Sequence, residues 1–263
     1  VAVLHSGGVH EFLTATLPHY VELTAELAEA RIRSLVDEQR FFETHWLATE
    51  GLIYLDRFSA MFGIHGLAEC ENLLMSYEGD DEPRFGHAAD ADALAVRIVE
   101  RVAELVAARP MPYCEGGGGR CYLHSQGGMD FDEGVTAGTR IPVGDEPGML
   151  EHITTCAPHH RLFAAGISDI FHVDETAVRN PESMVDIIRG AFASGMRDFT
   201  FNLADNEFIR ITGYLVRKSD IAALADQQAV RHTSDHFAAS SEEAYGLTGR
   251  AVKRVRAFER APR

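Results

Sequence analysis

Three groups of residues in this sequence of 263 amino acids are of types that could do chemistry. In "FIRITGYLVR", residues 208 to 217, a glycine interrupts a run of β-branched and aromatic residues. A glycine inside a strand costs backbone entropy and packs nothing, so Gly213 marks a bulge, a sharp bend or a place where another group must come close. His152, Cys156, His159 and His160 offer imidazole and thiol ligands for a metal ion. Zinc sites favour ligands four apart on one helix or paired in short knuckles, and Pro158 is expected to interrupt the helix that would align these. Substrate-facing polar residues or a structural loop are the competing readings, and no metal ligand is assigned. His65, Glu69 and Glu71 surround a glycine-rich bend and could supply acid and base groups, which must lie within hydrogen-bond reach of a substrate. Acids in the first turn of a helix, favoured by the dipole, give the same pattern, so these three stay outside the assigned site.

The elements that must position these groups follow from periodicity. The stretch from Glu11 to about Trp46 has apolar residues near helical spacing after Pro18 and predicts one long helix. "DRFSAMFGIHGLAECENLLMSY" predicts a strand or turn ending in a bend at Gly63 and Gly66, then a helix from near Leu67. "AADADALAVRIVERVAELVAAR" reads as an amphipathic helix ending before Pro110. Residues 111–150 are dominated by loops, with short strands expected around Tyr122 and Ile141. "EGGGGR" there lacks the Lys-Ser or Lys-Thr of a phosphate-binding loop and reads as a flexible surface turn. "LFAAGISDIFHV" reads as strand, turn, strand. "NPESMVDIIRGAFASGM" reads as a helix capped by Asn180, with Pro181 at its first position and Gly195 near its end. Two extended runs are expected around "ADNE", and one or two outer helices after Arg217. The order of elements gives an α/β fold without an internal repeat.

With 46% hydrophobic residues the chain can bury a large core. Its net charge of -16 opposes binding to nucleic acid or to an anionic membrane, so a small molecule or a protein is the expected partner. No apolar run approaches the length of a membrane span and no secretory leader is recognisable, from which a cytoplasmic location is expected. Cys70, Cys114, Cys121 and Cys156 form no CxxC pair, so reduced thiols are expected rather than disulfides or a zinc quartet.

"RITGY", Arg210 to Tyr214, resembles the signature of glycyl radical enzymes: Arg, a β-branched apolar residue, Ser or Thr, Gly and Tyr near the C-terminus. Chance gives such a pentapeptide in roughly one chain of this length in a few thousand, so the match carries weight. The other reading, a bulge with an aromatic packed beside it, remains open on the pentapeptide alone. "FLTATLPHY", "FGIHGLAECENLL", "GDEP", "APHH", "GISDI", "NPESMV" and "GYLVRKSDIA" extend the resemblance over most of the chain to the YjjI-type glycine radical enzymes. That branch is similar to pyruvate formate-lyase and anaerobic ribonucleotide reductase.

The resemblance implies the C-terminal part of a ten-stranded α/β barrel, with residues 1–180 as barrel and 181–263 as a glycine radical domain. Gly213 would hold the radical, and Arg210, Thr212 and Tyr214 would support its loop through hydrogen bonds. An α-carbon radical is shared between amide nitrogen and carbonyl only at a planar centre, which a Cβ would crowd. No cofactor is expected to be bound permanently; a partner activating enzyme, using S-adenosylmethionine and an iron-sulfur cluster, would install the radical for chemistry on a small molecule. Homodimers occur among relatives. The cysteine that receives the radical in this family lies upstream of the segment resembling "FLTATLPHY", so the chain is expected to be a C-terminal portion, inactive alone. Cys70 reads as an ordinary buried thiol rather than a substitute. A non-catalytic radical carrier or repair subunit is the alternative. A metal-dependent hydrolase built on His152, Cys156 and His159 is a third reading.

Overall fold

A computed structural model describes residues 2–79, 84–125, 136–142, 145–164, 166–167, 169–203, 208–211 and 214–225. The first helical run covers 9–38, with the regular helix α1 at Leu17–Arg33 between wider π turns at Phe12–Thr16 and Ser34–Glu38. Pro18 sits inside this run and has no N–H to give. The carbonyl of Leu13, five residues before it, instead accepts Arg101 Nε at 3.4 Å. The run stops short of Trp46. Arg40 turns left-handed at φ 50°, and two short helices follow at Phe41–Thr44 and Trp46–Thr49. Aromatic packing explains the break: Phe41 stacks on His45 with ring centroids 4.4 Å apart, and Phe42 meets Phe58 edge-on at 5.7 Å.

Helix α2 at Leu67–Tyr77 and helix α3 at Ala89–Ala108 pack with α1 into the main core. On α3, Ala91, Leu94, Ala95, Ile98, Val99, Val102 and Val106 are buried, at the three- and four-residue spacing of one helix face. Strands β1 (Met61–Ile64) and β2 (Tyr122–Ser125) lie against this core through Phe62 and Leu123. They pair in parallel, Met61 opposite Tyr122, with α2 and α3 forming the crossover that parallel strands require.

A second strand–helix–strand unit follows helix α4 at Met149–His160. Strand β3 (Ile170–Val173) pairs in parallel with β4 (Thr200–Leu203), and helix α5 (Pro181–Ala193) lies between them in sequence. Ile153 and Ala157 of α4, Phe171 of β3, Ala191 of α5 and Met196 form its smaller core. Strands β5 (Phe208–Ile211) and β6 (Tyr214–Arg217) then pair antiparallel, followed by helix α6 at Lys218–Ala225. The architecture is mixed α/β, and among the described residues the strands form three two-stranded sheets rather than a ten-stranded barrel. None of the described helices is long and apolar enough to cross a membrane.

Several local expectations are corrected. Among its described residues "LFAAGISDIFHV" supplies one strand, β3, and the carbonyl of the buried Phe163 accepts Arg197 Nη1 at 3.0 Å instead of joining a ladder. Ile141 lies in no strand; the chain pairs just before it, where Ala137 bridges to His65. Asn180 precedes α5 but makes no side-chain cap, while Pro181 and Gly195 occupy the expected positions. "EGGGGR" is not a loose turn. Gly116 N–H donates to Phe58 O at 3.0 Å, and a Cβ on Gly116 would stand 2.2 Å from Arg57 O.

Candidate functional site

The hairpin of β5 and β6 frames the glycine that opened the question. Ile211 pairs with Tyr214 and Phe208 with Arg217, so "FIRITGYLVR" is two strands rather than one with a bulge. The backbone of Arg210 lies in β5, opposite Leu215, and that of Tyr214 begins β6. Thr212 and Gly213, between the strands, lie outside the described residues.

The described residues bring a second set of groups together on α4. Pro158 does not break this helix, which runs through it to His160. The expected misalignment is therefore corrected: His152 and Cys156 stand one helical turn apart on one face. Asp169, the residue before β3, completes a group whose ligand atoms all lie within 4.8 Å of one another, and all three residues are buried. His159 is not part of that group; its ring meets Phe85 edge-on with centroids 6.4 Å apart. His160 adjoins the group, with Nε2 at 3.8 Å from Asp169 Oδ2, while its Nδ1 accepts the Arg197 N–H at 3.1 Å. Beside it the chain passes Asp198 at Gly166, where φ is +79° and a Cβ would come to 3.0 Å of Asp198 Oδ2. Thr155, also on α4, donates to Asp92 Oδ2 at 2.9 Å and so joins α4 to α3.

Burial sets the protonation of these groups. It holds the His152 imidazole below its ordinary range and takes His159 down to about 4. Burial, reinforced by the Asp169 carboxylate, raises the Cys156 thiol well above the usual range. The Asp198 carboxyl is also raised by burial. A lowered His152 imidazole and a raised Cys156 thiol beside a buried acid are poorly suited to nucleophilic attack.

At the start of α2, Glu69 is employed structurally. Glu69 Oε1 accepts the Thr136 N–H at 2.8 Å and the Thr136 hydroxyl, and Gly66 N–H donates to Thr136 O at 2.8 Å. Glu71 is fully buried. Cys70 is half-buried on α2, its thiol pushed up to about 12 by desolvation, as an ordinary packed thiol would be. Asp169 was missed by sequence reasoning; the available signal was an acid set directly before an apolar strand in "ISDIFHV".

Comparison with known proteins adds the following. The description "Glycyl radical enzyme YjjI-like" matches residues 1–253. The chain is similar to a protein of Escherichia coli (strain K12) named "Uncharacterized protein YjjI", with 41% identity over 258 residues, 98% of this chain and 47% of that one. It is also similar to an "Uncharacterized protein" of Haemophilus influenzae (strain ATCC 51907 / DSM 11121 / KW20 / Rd), 33% identical over 246 residues, 92% of this chain and 48% of the other. The chain thus spans about half the length of the curated relatives it matches. With the match running through the "RITGY" hairpin and nearly the whole sequence, the chain belongs to the YjjI-like glycyl radical enzyme family.

Proposed function

We propose that the chain is the radical-bearing portion of a glycyl radical enzyme and that Gly213 stores the unpaired electron. The observation that carries this reading is "RITGY" in a family member, with its glycine between two strands paired up to Ile211 and Tyr214. Glycine is required there because the radical centre must be planar and carries no Cβ. Arg210, Thr212 and Tyr214 support the loop. Residues 1–180 contribute wall to a ten-stranded barrel completed by the rest of a longer protein, and 181–263 present the glycine. The parallel β1–β2 and β3–β4 pairs, each with helical crossovers, are the units from which such a barrel is built. A partner enzyme using S-adenosylmethionine and an iron-sulfur cluster removes the hydrogen atom, and the radical passes to an upstream cysteine that attacks a small molecule in the cytoplasm.

Electron paramagnetic resonance on the complete enzyme, activated without oxygen, tests this. The expected result is an organic radical signal split into a doublet by the remaining α-hydrogen, absent in Gly213→Ala. A silent wild-type sample, or an unchanged doublet in the variant, ends the reading.

A further inference from the structure

We propose that His152, Cys156 and Asp169 form a divalent transition-metal site, Zn²⁺ by preference, that fastens α4 to the start of β3. This inference stands apart from the radical reading and uses none of its residues. The first support is geometric: imidazole, thiol and carboxylate atoms from a helix face and a strand start converge within 4.8 Å. Zinc at 2.0–2.3 Å from each ligand needs its donors roughly 3.3–3.8 Å apart, so the three close by about an ångström onto the ion.

The second support is independent of that convergence. Asp169 is 1% exposed, yet among the described residues neither of its carboxylate oxygens has a nitrogen or oxygen hydrogen-bond partner, and the thiol of Cys156 is the group it meets. A buried carboxylate left so costs several kcal/mol unless a cation meets it. Arg140 is near enough to act electrostatically on His152 and Cys156, and its Nη1 is itself buried without a hydrogen-bond partner among the described residues. A dication bound by one thiolate, one carboxylate and one neutral imidazole forms a group of zero net charge, which suits a closed interior.

His160 is excluded as a fourth ligand by its tautomer. Its Nδ1 accepts the Arg197 N–H, so a ring proton sits on Nε2, the nitrogen that faces Asp169 Oδ2. At 3.8 Å from Asp169 Oδ2 it is too far for a hydrogen bond, so His160 adjoins the site without ligating it. The mixed nitrogen, sulfur and oxygen set suits zinc over the hard cations Mg²⁺ and Ca²⁺, which take oxygen ligands. On binding, the Cys156 S–H bond breaks, its proton leaves to solvent and the sulfur lone pair forms the metal bond; no electron changes hands.

Cobalt(II), which reports thiolate ligation by a near-ultraviolet charge-transfer band, gives the test. The purified chain is treated with chelator, checked for fold by circular dichroism and titrated with Co²⁺ without oxygen. One equivalent per chain is expected, with a charge-transfer band that Zn²⁺ abolishes, that Cys156→Ser lacks and that Cys70→Ser, Cys114→Ser and Cys121→Ser retain. Asp169→Asn, which keeps both the shape and the thiol, should bind at least tenfold more weakly. A folded wild-type chain that takes up no cobalt overturns the site, as does a band that survives in Cys156→Ser. Should Cys156→Ser fail to fold, unchanged cobalt affinity in Asp169→Asn overturns it equally.

Discussion

His159 shows what burial does to a single titratable ring. It is fully buried and among the described residues neither ring nitrogen has a hydrogen-bond partner, so its charged form is driven out and its pKa falls to about 4. In the unfolded chain the same ring titrates near 6.5. Between those values the unfolded state takes up a proton that the folded state refuses, so acid favours unfolding. The contribution is fully present above pH 6.5 and drains as the pH falls toward 4, by about 2 kcal/mol at pH 5 and about 3 kcal/mol in all. His152, lowered for the same first cause, acts in the same direction, whereas the raised Asp198 carboxyl acts in the opposite one. His159→Leu removes one ring's titration while filling its space. Thermal midpoints measured at pH 7 and pH 5 should therefore fall less in the variant than in the parent. Equal falls would mean that the ring is not sheltered from water in solution.

At the scale of elements, the sharpest constraint is the turn at Glu115–Gly117, whose Gly116 lies against the backbone of Arg57 and Phe58. Because backbone cannot rotate out of the way as a side-chain tip can, Gly116→Ala should cost about 1–3 kcal/mol through overpacking. Gly118 in the same run has φ +66° and open space around a Cβ, so Gly118→Asn, a residue tolerant of that conformation, should be nearly neutral. Denaturant midpoints of the two variants check the contrast, and a neutral Gly116→Ala would mean that the turn is as loose as its composition suggests. The four glycines look alike in sequence and differ in what stands beside them, which is why the turn read as slack. Helices were legible where the period was long and clean, as in α3 and the start of α2. The end of the first helical run was not, because Phe42 leaves it to pack on Phe58, a partner that no local pattern announces. Pro158 misled for the opposite reason: helix interiors reject proline on average, and α4 absorbs one two residues before its end. That misreading concealed the His152–Cys156 pair, and Asp169 could only be joined to it by folding, while the glycine motif was legible because its information is local.

At the scale of the whole molecule, charge is divided unevenly along the chain. The net charge is -16, yet from Arg217 onward nine Lys or Arg residues stand against six Asp or Glu. This gives the proposed radical a consequence that can be read without a spectrometer. Dioxygen adds to a carbon-centred radical and the backbone breaks there, so air admitted to the activated enzyme should sever the chain at Gly213. The piece so cut is about fifty residues long and basic, in contrast to an acidic remainder. In the native state the strands on either side of the cut are paired at four positions, from Phe208 with Arg217 to Ile211 with Tyr214, so the two pieces need not part at once. In denaturant nothing holds them. A cation exchanger at neutral pH should then retain the short piece, mass spectrometry should place its beginning at residue 213 or 214, and its amount should track the radical signal lost. Cleavage of equal extent in Gly213→Ala, or an air-exposed sample that loses its doublet with the chain intact, would place the radical on another residue.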